Sequence, residues 1–478
     1  MSHGPANTAD GSGPLGHDGG VSDYDLAVIG TGSGNSIVDD RFADQRVAII
    51  EEAVFGGTCL NVGCIPTKMF VYPADLAESA RHAPELGVRT TYDGVRWAEV
   101  RDRIFGRIDP IAAGGEDYRR GLPNVDVHTG HATFLDDHTL LVRAADGSET
   151  RLTADQVVIA AGSRVEVADV PGLDEVEFHT SDTVMRLPEL PSRLVVLGGG
   201  YVAAEFAHVF ASLGTQVTQV QRGERLLMAQ DEDVSAAFTR AASARWDVRL
   251  SATATKVTQD GPGAPVRVEL TDGTQVEADV LLVATGRTSN ADRLGLETTG
   301  VRVEDGVVVV DEHQRTTVPT IWALGDVANH HSLKHVANHE ARTVQHNLLH
   351  PDDLRSSDHR FVPSAVFTSP QIASVGLTSQ AARAQGLEVR TAVQDYADVA
   401  YGWAMEAPAG DLFCKLVADA SGEHLLGAHL IGPQASILIQ SLVQGMSLGS
   451  TVQEMASGQY WIHPALAEVV ENALLKLS

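Results

Sequence analysis

Twice in this chain a short apolar run drives straight into a glycine-rich turn, and little else in the sequence restricts the fold as much. Tyr24-Asp25-Leu26-Ala27-Val28-Ile29 enters Gly30-Thr31-Gly32-Ser33-Gly34-Asn35, and Arg193-Leu194-Val195-Val196-Leu197 enters Gly198-Gly199-Gly200-Tyr201-Val202-Ala203. Apolar runs without polar alternation belong to strands buried on both faces, the environment of a parallel sheet covered by helices. Each turn is followed by a second apolar run. Val47-Ala48-Ile49-Ile50 ends at Glu51, and Gln216-Val217-Thr218-Gln219-Val220 ends at Gln221. Both stretches therefore read as βαβ units. Glycines at the first turn positions let the backbone bend tightly and approach a pyrophosphate, and the helix start that follows offers free N–H groups and a partial positive charge.

The two units differ in detail. Glu51, about 20 residues past the first glycine, stands where a carboxylate takes up a ribose diol. Asn35 fills the position usually held by a third glycine, so helix and strand are expected to sit slightly further apart there. In the second unit Ala203 is an accepted small residue, but neutral Gln221 replaces the acid and Arg222 and Arg225 follow. A missing carboxylate with added guanidinium suits a 2′-phosphate, hence NADPH over NADH. Glu224 beside them weakens that field. After about residue 360 the glycine fingerprints stop. The runs Ala365-Val366-Phe367 and Leu425-Leu426-Gly427-Ala428-His429-Leu430, with a helical pattern over 435–449, predict an α+β domain.

Between the units lies Gly56-Gly57-Thr58-Cys59-Leu60-Asn61-Val62-Gly63-Cys64-Ile65-Pro66-Thr67-Lys68, which holds two of the three cysteines; the other is Cys414. Five residues of straight helix rise roughly 7.5 Å, beyond the roughly 4.4–6.8 Å between Cα atoms that a disulfide tolerates. A bonded Cys59–Cys64 pair therefore needs a local departure from helix geometry, which Gly63 and Pro66 permit. A bond closed under that constraint is reducible rather than structural. The pair reads as a redox centre.

Composition narrows the setting. A chain of 478 residues exceeds one hydrophobic core, and three cysteines argue against a secreted disulfide framework and for a reducing cytoplasm. No apolar run is long enough to span a membrane. With 63 acidic against 35 basic residues the net charge is −28, which repels nucleic acid. Residues 1–22, rich in Gly, Ser, Asp and His, read as a disordered leader.

Two further elements, Ala284-Thr285-Gly286-Arg287 and Ile321-Trp322-Ala323-Leu324-Gly325-Asp326, precede a late His463-Pro464 and Glu468. Together with the cysteine motif and both glycine turns, in this order, the chain resembles the pyridine-nucleotide disulfide oxidoreductases over residues 23–478. Residues 333–342 (Leu-Lys-His-Val-Ala-Asn-His-Glu-Ala-Arg), 401–406 and 458–466 resemble the branch acting on mycothione, the disulfide of mycothiol, which also carries Asn35. The fold implied is α/β, with two Rossmann-like dinucleotide-binding domains and a C-terminal α+β dimerisation domain. Its boundaries would be 23–165 (FAD), 166–289 (NADPH), 290–359 (completing the FAD domain) and 360–478.

The resemblance also implies roles. FAD would contact Gly30, Gly32, Ser33, Gly34, Asn35, Glu51, Gly57, Thr58, Lys68, Ala161, Gly162, Gly325, Asp326, Lys334 and His335. NADPH would contact Gly198, Gly200, Tyr201, Val202, Arg222, Arg225, Gly286 and Arg287. Cys64 would be the flavin-side sulfur, Cys59 the interchange sulfur, and Lys68 would pair with Glu205. Tyr201 would cover the nicotinamide face of the flavin. His463 and Glu468 would be an acid–base pair lent by the second subunit of a homodimer, serving a small disulfide substrate. Among 19 histidines, His463 is singled out by Trp461, Pro464 and Glu468 around it. His330, His331, His335 and His339 lack a cysteine or carboxylate partner set, so packing near the flavin is expected and no metal site.

Competing expectations remain. A dihydrolipoamide dehydrogenase-like enzyme would use NAD and carry an acid in place of Gln221. A non-catalytic redox-sensing flavoprotein would need none of the set Cys59, Cys64, Lys68, Glu205, His463 and Glu468. Mercuric reductase and high-molecular-weight thioredoxin reductase are disfavoured, because neither terminus carries a cysteine pair.

Overall fold

The first apolar run forms the strand Tyr24–Ile29, whose last four residues are buried. In the computed structural model, which describes residues 22–478, it pairs in parallel with Val47–Glu51 and with Glu149–Ile159. The leader expected over residues 1–22 lies, apart from Ser22, outside the described residues. Val125–Thr129 extends the sheet beyond Val47–Glu51, and Ile321–Ala323 joins in parallel along the end of Glu149–Ile159. That late strand delivers Gly325 and Asp326 to the same carboxyl edge as the first glycine turn, the edge where open parallel sheets bind ligands. The other half of Glu149–Ile159 continues into an antiparallel meander with Thr139–Arg143 and His131–Phe134.

A second parallel sheet runs Asp247–Arg249, Gln216–Val220, Arg193–Leu197, Val280–Val283. Its crossover helix, Tyr201–Leu213, starts at Gly200 and stops at Gly214, whose φ of 112° is the left-handed turn that glycine tolerates. The C-terminal region is a five-stranded antiparallel sheet ordered Pro363–Val366, Ile372–Gly376, Leu425–Ile431, Phe413–Asp419, Val389–Asp395, with helix Ala435–Leu448 packed on it. The α/β architecture with an α+β end is the one expected.

One expectation fails. The first unit has no α-helical crossover: two 3₁₀ turns, Gly34–Ser36 and Asp40–Phe42, stand in its place. Asp39 is extended, and its carboxylate accepts from the Arg41 backbone N–H and guanidinium at 3.0 Å each. Such local side-chain bonds compete with helix propagation. Nor is the turn loosened at Asn35. Close packing is achieved one residue earlier, where a Cβ on Gly34 would lie 2.7 Å from the Ala160 Cβ. Asn35 is freed to bind Arg119, which donates to its side-chain oxygen at 2.7 Å and to its carbonyl at 2.6 Å.

The helix Cys64–His82 packs against Tyr201–Leu213 through a shared core that includes Phe70, Ala74, Phe206 and Phe210. A polar network anchored on buried His208 and Ser212 stitches the same contact. His208 bonds Asp75 at 2.9 Å, Arg245 donates to Ser212 at 2.7 Å, and Arg245 meets Glu78 at 3.1 Å. The cysteine segment is thereby braced against the second glycine unit.

Candidate active site

The two cysteines lie on different helices. Gly57–Asn61 carries Cys59, the chain breaks at Val62 and Gly63, and Cys64–His82 begins with the second cysteine. The break requires glycine for space: a Cβ on Gly63 would sit 2.9 Å from the Thr58 carbonyl oxygen and 3.2 Å from the Cys59 Cα. Asn61 secures the loop, its side-chain amide donating to the carbonyls of Phe55 at 3.0 Å and Gly57 at 3.1 Å. Both thiols are free, and that of Cys59 hydrogen-bonds Cys64. Accepting this bond brings Cys64 down to about 7, against the opposing effect of burial and with further help from Lys68. Donating it, together with burial, pushes Cys59 well up. The negative charge of the reduced pair therefore belongs on Cys64.

Lys68 lies one helical turn beyond Cys64, and its Nζ meets the Glu205 carboxylate at 2.6 Å. Glu205 is buried on the facing helix, and its other oxygen accepts from the Phe367 N–H at 2.9 Å. Three separate parts of the chain are tied there beside the sulfur.

The first glycine turn forms a cradle beside this pair. A Cβ on Gly30, at φ 101°, would fall 2.3 Å from the Ala160 carbonyl oxygen. One on Gly57 would fall 2.7 Å from the Gly32 Cα, so the cysteine segment leans directly on the turn. The Gly56 N–H donates to Thr31 Oγ1 at 2.8 Å, and Thr31 N–H donates to Glu51 at 2.9 Å. Among the described residues the Gly32 and Ser33 amides find no acceptor. Unclaimed N–H groups on a turn too tight for side chains fit a bound pyrophosphate. Asp326 accepts from Ser163 Oγ at 2.6 Å, and Arg287 donates to the same hydroxyl at 2.9 Å. The neighbouring carbonyls of Ala161 and Gly162 accept from Asn290. Thr58 is exposed beside the cradle.

The second glycine turn borders a cavity of about 760 Å³ lined by Gly198, Gly200, Tyr201, Val202, Arg222, Gly286 and Arg287 among others. A Cβ on Gly199 would collide with the Gln221 side chain at 2.4 Å. Arg225 does not line the cavity as expected. Its Nε is buried without a partner, and its carbonyl accepts from Gln221 at 3.2 Å. The His335 ring is held by the Pro363 carbonyl at 2.8 Å. His330 and His331 line the nucleotide cavity, and no metal-binding group of His, Cys, Asp or Glu exists among the described residues.

The His463 side chain is 71% exposed, and Nδ1 is held by Glu468 at 2.7 Å, leaving Nε2 without a partner among the described residues. That bond holds the Glu468 carboxyl below its ordinary range. Ala465 N–H donates to the other Glu468 oxygen at 3.1 Å.

Glu340 escaped the sequence reading. Buried, it accepts from the Gly325 N–H at 2.6 Å and from Asn329 at 2.9 Å, and it meets His359 at 2.9 Å. Burial raises its carboxyl to about 7. It braces the turn that presents Asp326. A signal existed: Val336, Ala337, Ala341 and Val344 mark one apolar stripe, and Glu340 lies on it.

Residues 24–341 match the pyridine nucleotide-disulphide oxidoreductases, and residues 362–474 match the dimerisation domain of the same family. The chain is 56% identical over 461 residues to the mycothione reductase of Mycobacterium tuberculosis, covering 95% of this chain and 99% of that one. It is 33% identical to a mercuric reductase of Staphylococcus aureus, covering 91% of this chain and 79% of that one. The structure superposes with a TM-score of 0.83 on the HOCl-induced flavoprotein disulfide reductase RclA of Escherichia coli, in its Cu(II) complex. That match is 26% identical and covers 96% of this chain and 100% of that one. Among the described residues no helix is long and apolar enough to cross a membrane. The chain thus belongs to the pyridine nucleotide-disulphide oxidoreductases, as an oxidoreductase homologous to mycothione reductase whose cofactors are FAD and a pyridine nucleotide.

Proposed function

We propose that this enzyme uses NADPH to reduce mycothione to two molecules of mycothiol, in the cytoplasm, as a homodimer. Residues 23–165 and 290–359 would hold FAD, 166–289 NADPH, and 360–478 the second subunit. The observation that carries the chemistry is the contact of two free thiols, Cys59 hydrogen-bonded to Cys64 with Lys68 one turn further along the same helix, an arrangement that favours charge on Cys64. Thiolate is the nucleophile, so Cys59 needs a base, and among the described residues none other than Cys64 is hydrogen-bonded to it. The His463 imidazole, exposed with Nε2 unused, supplies that base from the neighbouring subunit. Exposed Tyr460, Ile462 and Trp403 support an apolar contact between copies.

When bound, FAD and NADPH supply the two electrons that open the Cys59–Cys64 bond. The partner's His463 takes the Cys59 proton, and the Cys59 thiolate attacks one sulfur of the substrate disulfide. A Cys59–substrate disulfide forms while the first thiolate leaves and collects its proton from the imidazolium. Glu468 orients the ring through Nδ1 and stabilises its cation. Cys64 thiolate then attacks Cys59, the second product leaves as thiolate and is protonated, and the internal disulfide is restored. Arg222 on the cavity wall, with no acid at Gln221, supports the choice of NADPH.

Steady-state rates with mycothione, glutathione disulfide and lipoamide, each with NADPH and NADH, test the assignment. The mycothione–NADPH pair is expected to dominate; a preference for lipoamide with NADH would overturn it. Cys59→Ser should lose mycothione turnover yet retain FAD. A serine variant turning over mycothione near the parent rate would refute the nucleophile assignment.

A further inference from the structure

Lysine is scarce here; of the five, Lys415 is buried and Lys68 and Lys334 are half-buried. Lys68 faces Glu205 at 2.6 Å, and Lys415 faces Asp231 at 2.8 Å. Lys334 has no carboxylate partner among the described residues. Its Nζ donates only to Ser33 Oγ, at 2.9 Å, and that hydroxyl donates onward to Asn338 at 2.9 Å. Withdrawing an ammonium from water without a counter-charge is unfavourable. A chain that keeps one so placed is built for an anion to arrive beside it.

Two anions meet at this position, a cofactor pyrophosphate on the glycine turn and a thiolate of the cysteine pair. Lys334 opens the helix Lys334–Leu349 and reaches the glycine turn through Ser33. The cysteine segment leans on that same turn, through Gly57 against Gly32 and through the Gly56–Thr31 hydrogen bond. Burial holds Lys334 below the usual ammonium range, and Cys59, Cys64 and Asp326 pull it back. Lys334 is the cation that works to lower Cys59, whereas Lys68 does so for Cys64. The charge of Lys68 is in addition largely cancelled by Glu205.

We propose that Lys334 is the charge-supplying residue of Cys59, its ammonium stabilising the thiolate left when the partner's His463 removes the proton. Each sulfur then has its own ammonium, one neutralised by Glu205 and one not. The inference rests on the reading of Cys59 as the nucleophile. The other titratable groups acting on Lys334 are Cys64, at the head of the cysteine helix, and Asp326, at the carboxyl edge of the first sheet. His335 beside it is bound to the Pro363 carbonyl, and Glu340 with His359 belong to the same helix and its neighbouring loop.

The test uses FAD-loaded parent, Lys334→Met and Lys334→Arg, each reduced with dithiothreitol. Iodoacetamide alkylates thiolate by displacement of iodide, and mass spectrometry separates Cys59 from Cys64. In Lys334→Met the Cys59 alkylation midpoint should rise by about one pH unit or more, a roughly tenfold slower reaction at neutral pH. Cys64 should move less, and Lys334→Arg should restore the parent profile. Unchanged Cys59 profiles at saturating FAD, with only FAD affinity weakened in a fluorescence titration, would overturn the proposal and leave Lys334 a cofactor clamp. The parent alkylated at Cys59 must lose mycothione turnover. If it does not, the nucleophile assignment itself fails and the role of Lys334 falls with it.

Discussion

Removing Lys68 should damage this protein more than removing its partner's charge along with it, and the burial of the pair says by how much. The Lys68 side chain is 34% exposed and the Glu205 side chain only 4%. Lys68→Met leaves the Glu205 carboxylate in the interior with a single hydrogen bond, from Phe367 N–H at 2.9 Å. Stripping one partner from a buried pair costs about 3–5 kcal/mol. Partial exposure of the lysine places this pair at or below the low end, at about 2–3 kcal/mol. The double variant Lys68→Met, Glu205→Gln removes the stranded charge but keeps an acceptor for Phe367. It should return to within about 1 kcal/mol of the parent.

Urea unfolding of the FAD-loaded proteins, followed by intrinsic fluorescence and compared by midpoint, measures the difference. A double variant no more stable than Lys68→Met would falsify the account.

Arg222→Ser should raise the KM for NADPH by roughly 10- to 100-fold, the worth of a charged hydrogen bond, and hardly change that for NADH; equal losses with both nucleotides would refute the 2′-phosphate contact. His463→Ala should slow mycothione reduction by roughly 100-fold or more while NADPH-driven reduction of an artificial quinone acceptor persists, and Glu468→Gln should fall between them. Glu340→Ala should weaken FAD retention on dilution, because the Gly325 N–H and Asn329 lose their acceptor, and Glu340→Gln should recover much of it. Parent-like FAD dissociation in Glu340→Ala would remove that residue from the cofactor turn.

How far the sequence could be read depended on how local the determining physics is. Both glycine turns, the break at Gly63 and the strands Arg193–Leu197 and Gln216–Val220 follow from neighbours a few residues away, and the structure places them as expected. The crossover after Ile29 was misread because the glycine pattern predicts a helix by analogy, while Asp39 and Arg41 offer the backbone a better local alternative. Arg225 was expected on the cavity wall, but it does not line the cavity and its Nε is buried, an outcome that no spacing reveals. The brace of Asp75, Glu78, His208, Ser212 and Arg245 joins residues more than a hundred positions apart, and none of them carries a motif. Polar residues collected by tertiary packing leave their mark only as exceptions on an apolar stripe, as Glu340 does.

The arrangement of charge around the sulfurs bears on the proposed need for a second copy. Within a single copy the Cys59 proton is shared with Cys64, which is the sulfur that should keep its charge. Transferring that proton inward would discharge Cys64 and gain nothing. In the proposed reaction it leaves outward, to a base outside the pair. A histidine fixed by Glu468, with its second nitrogen open, on a surface bearing exposed Tyr460 and Ile462 would meet that requirement from a neighbouring copy. Lys334 then lowers the cost of the separation on the sulfur side as Glu468 does on the imidazole side, so that neither half of the proton transfer is left without a counter-charge.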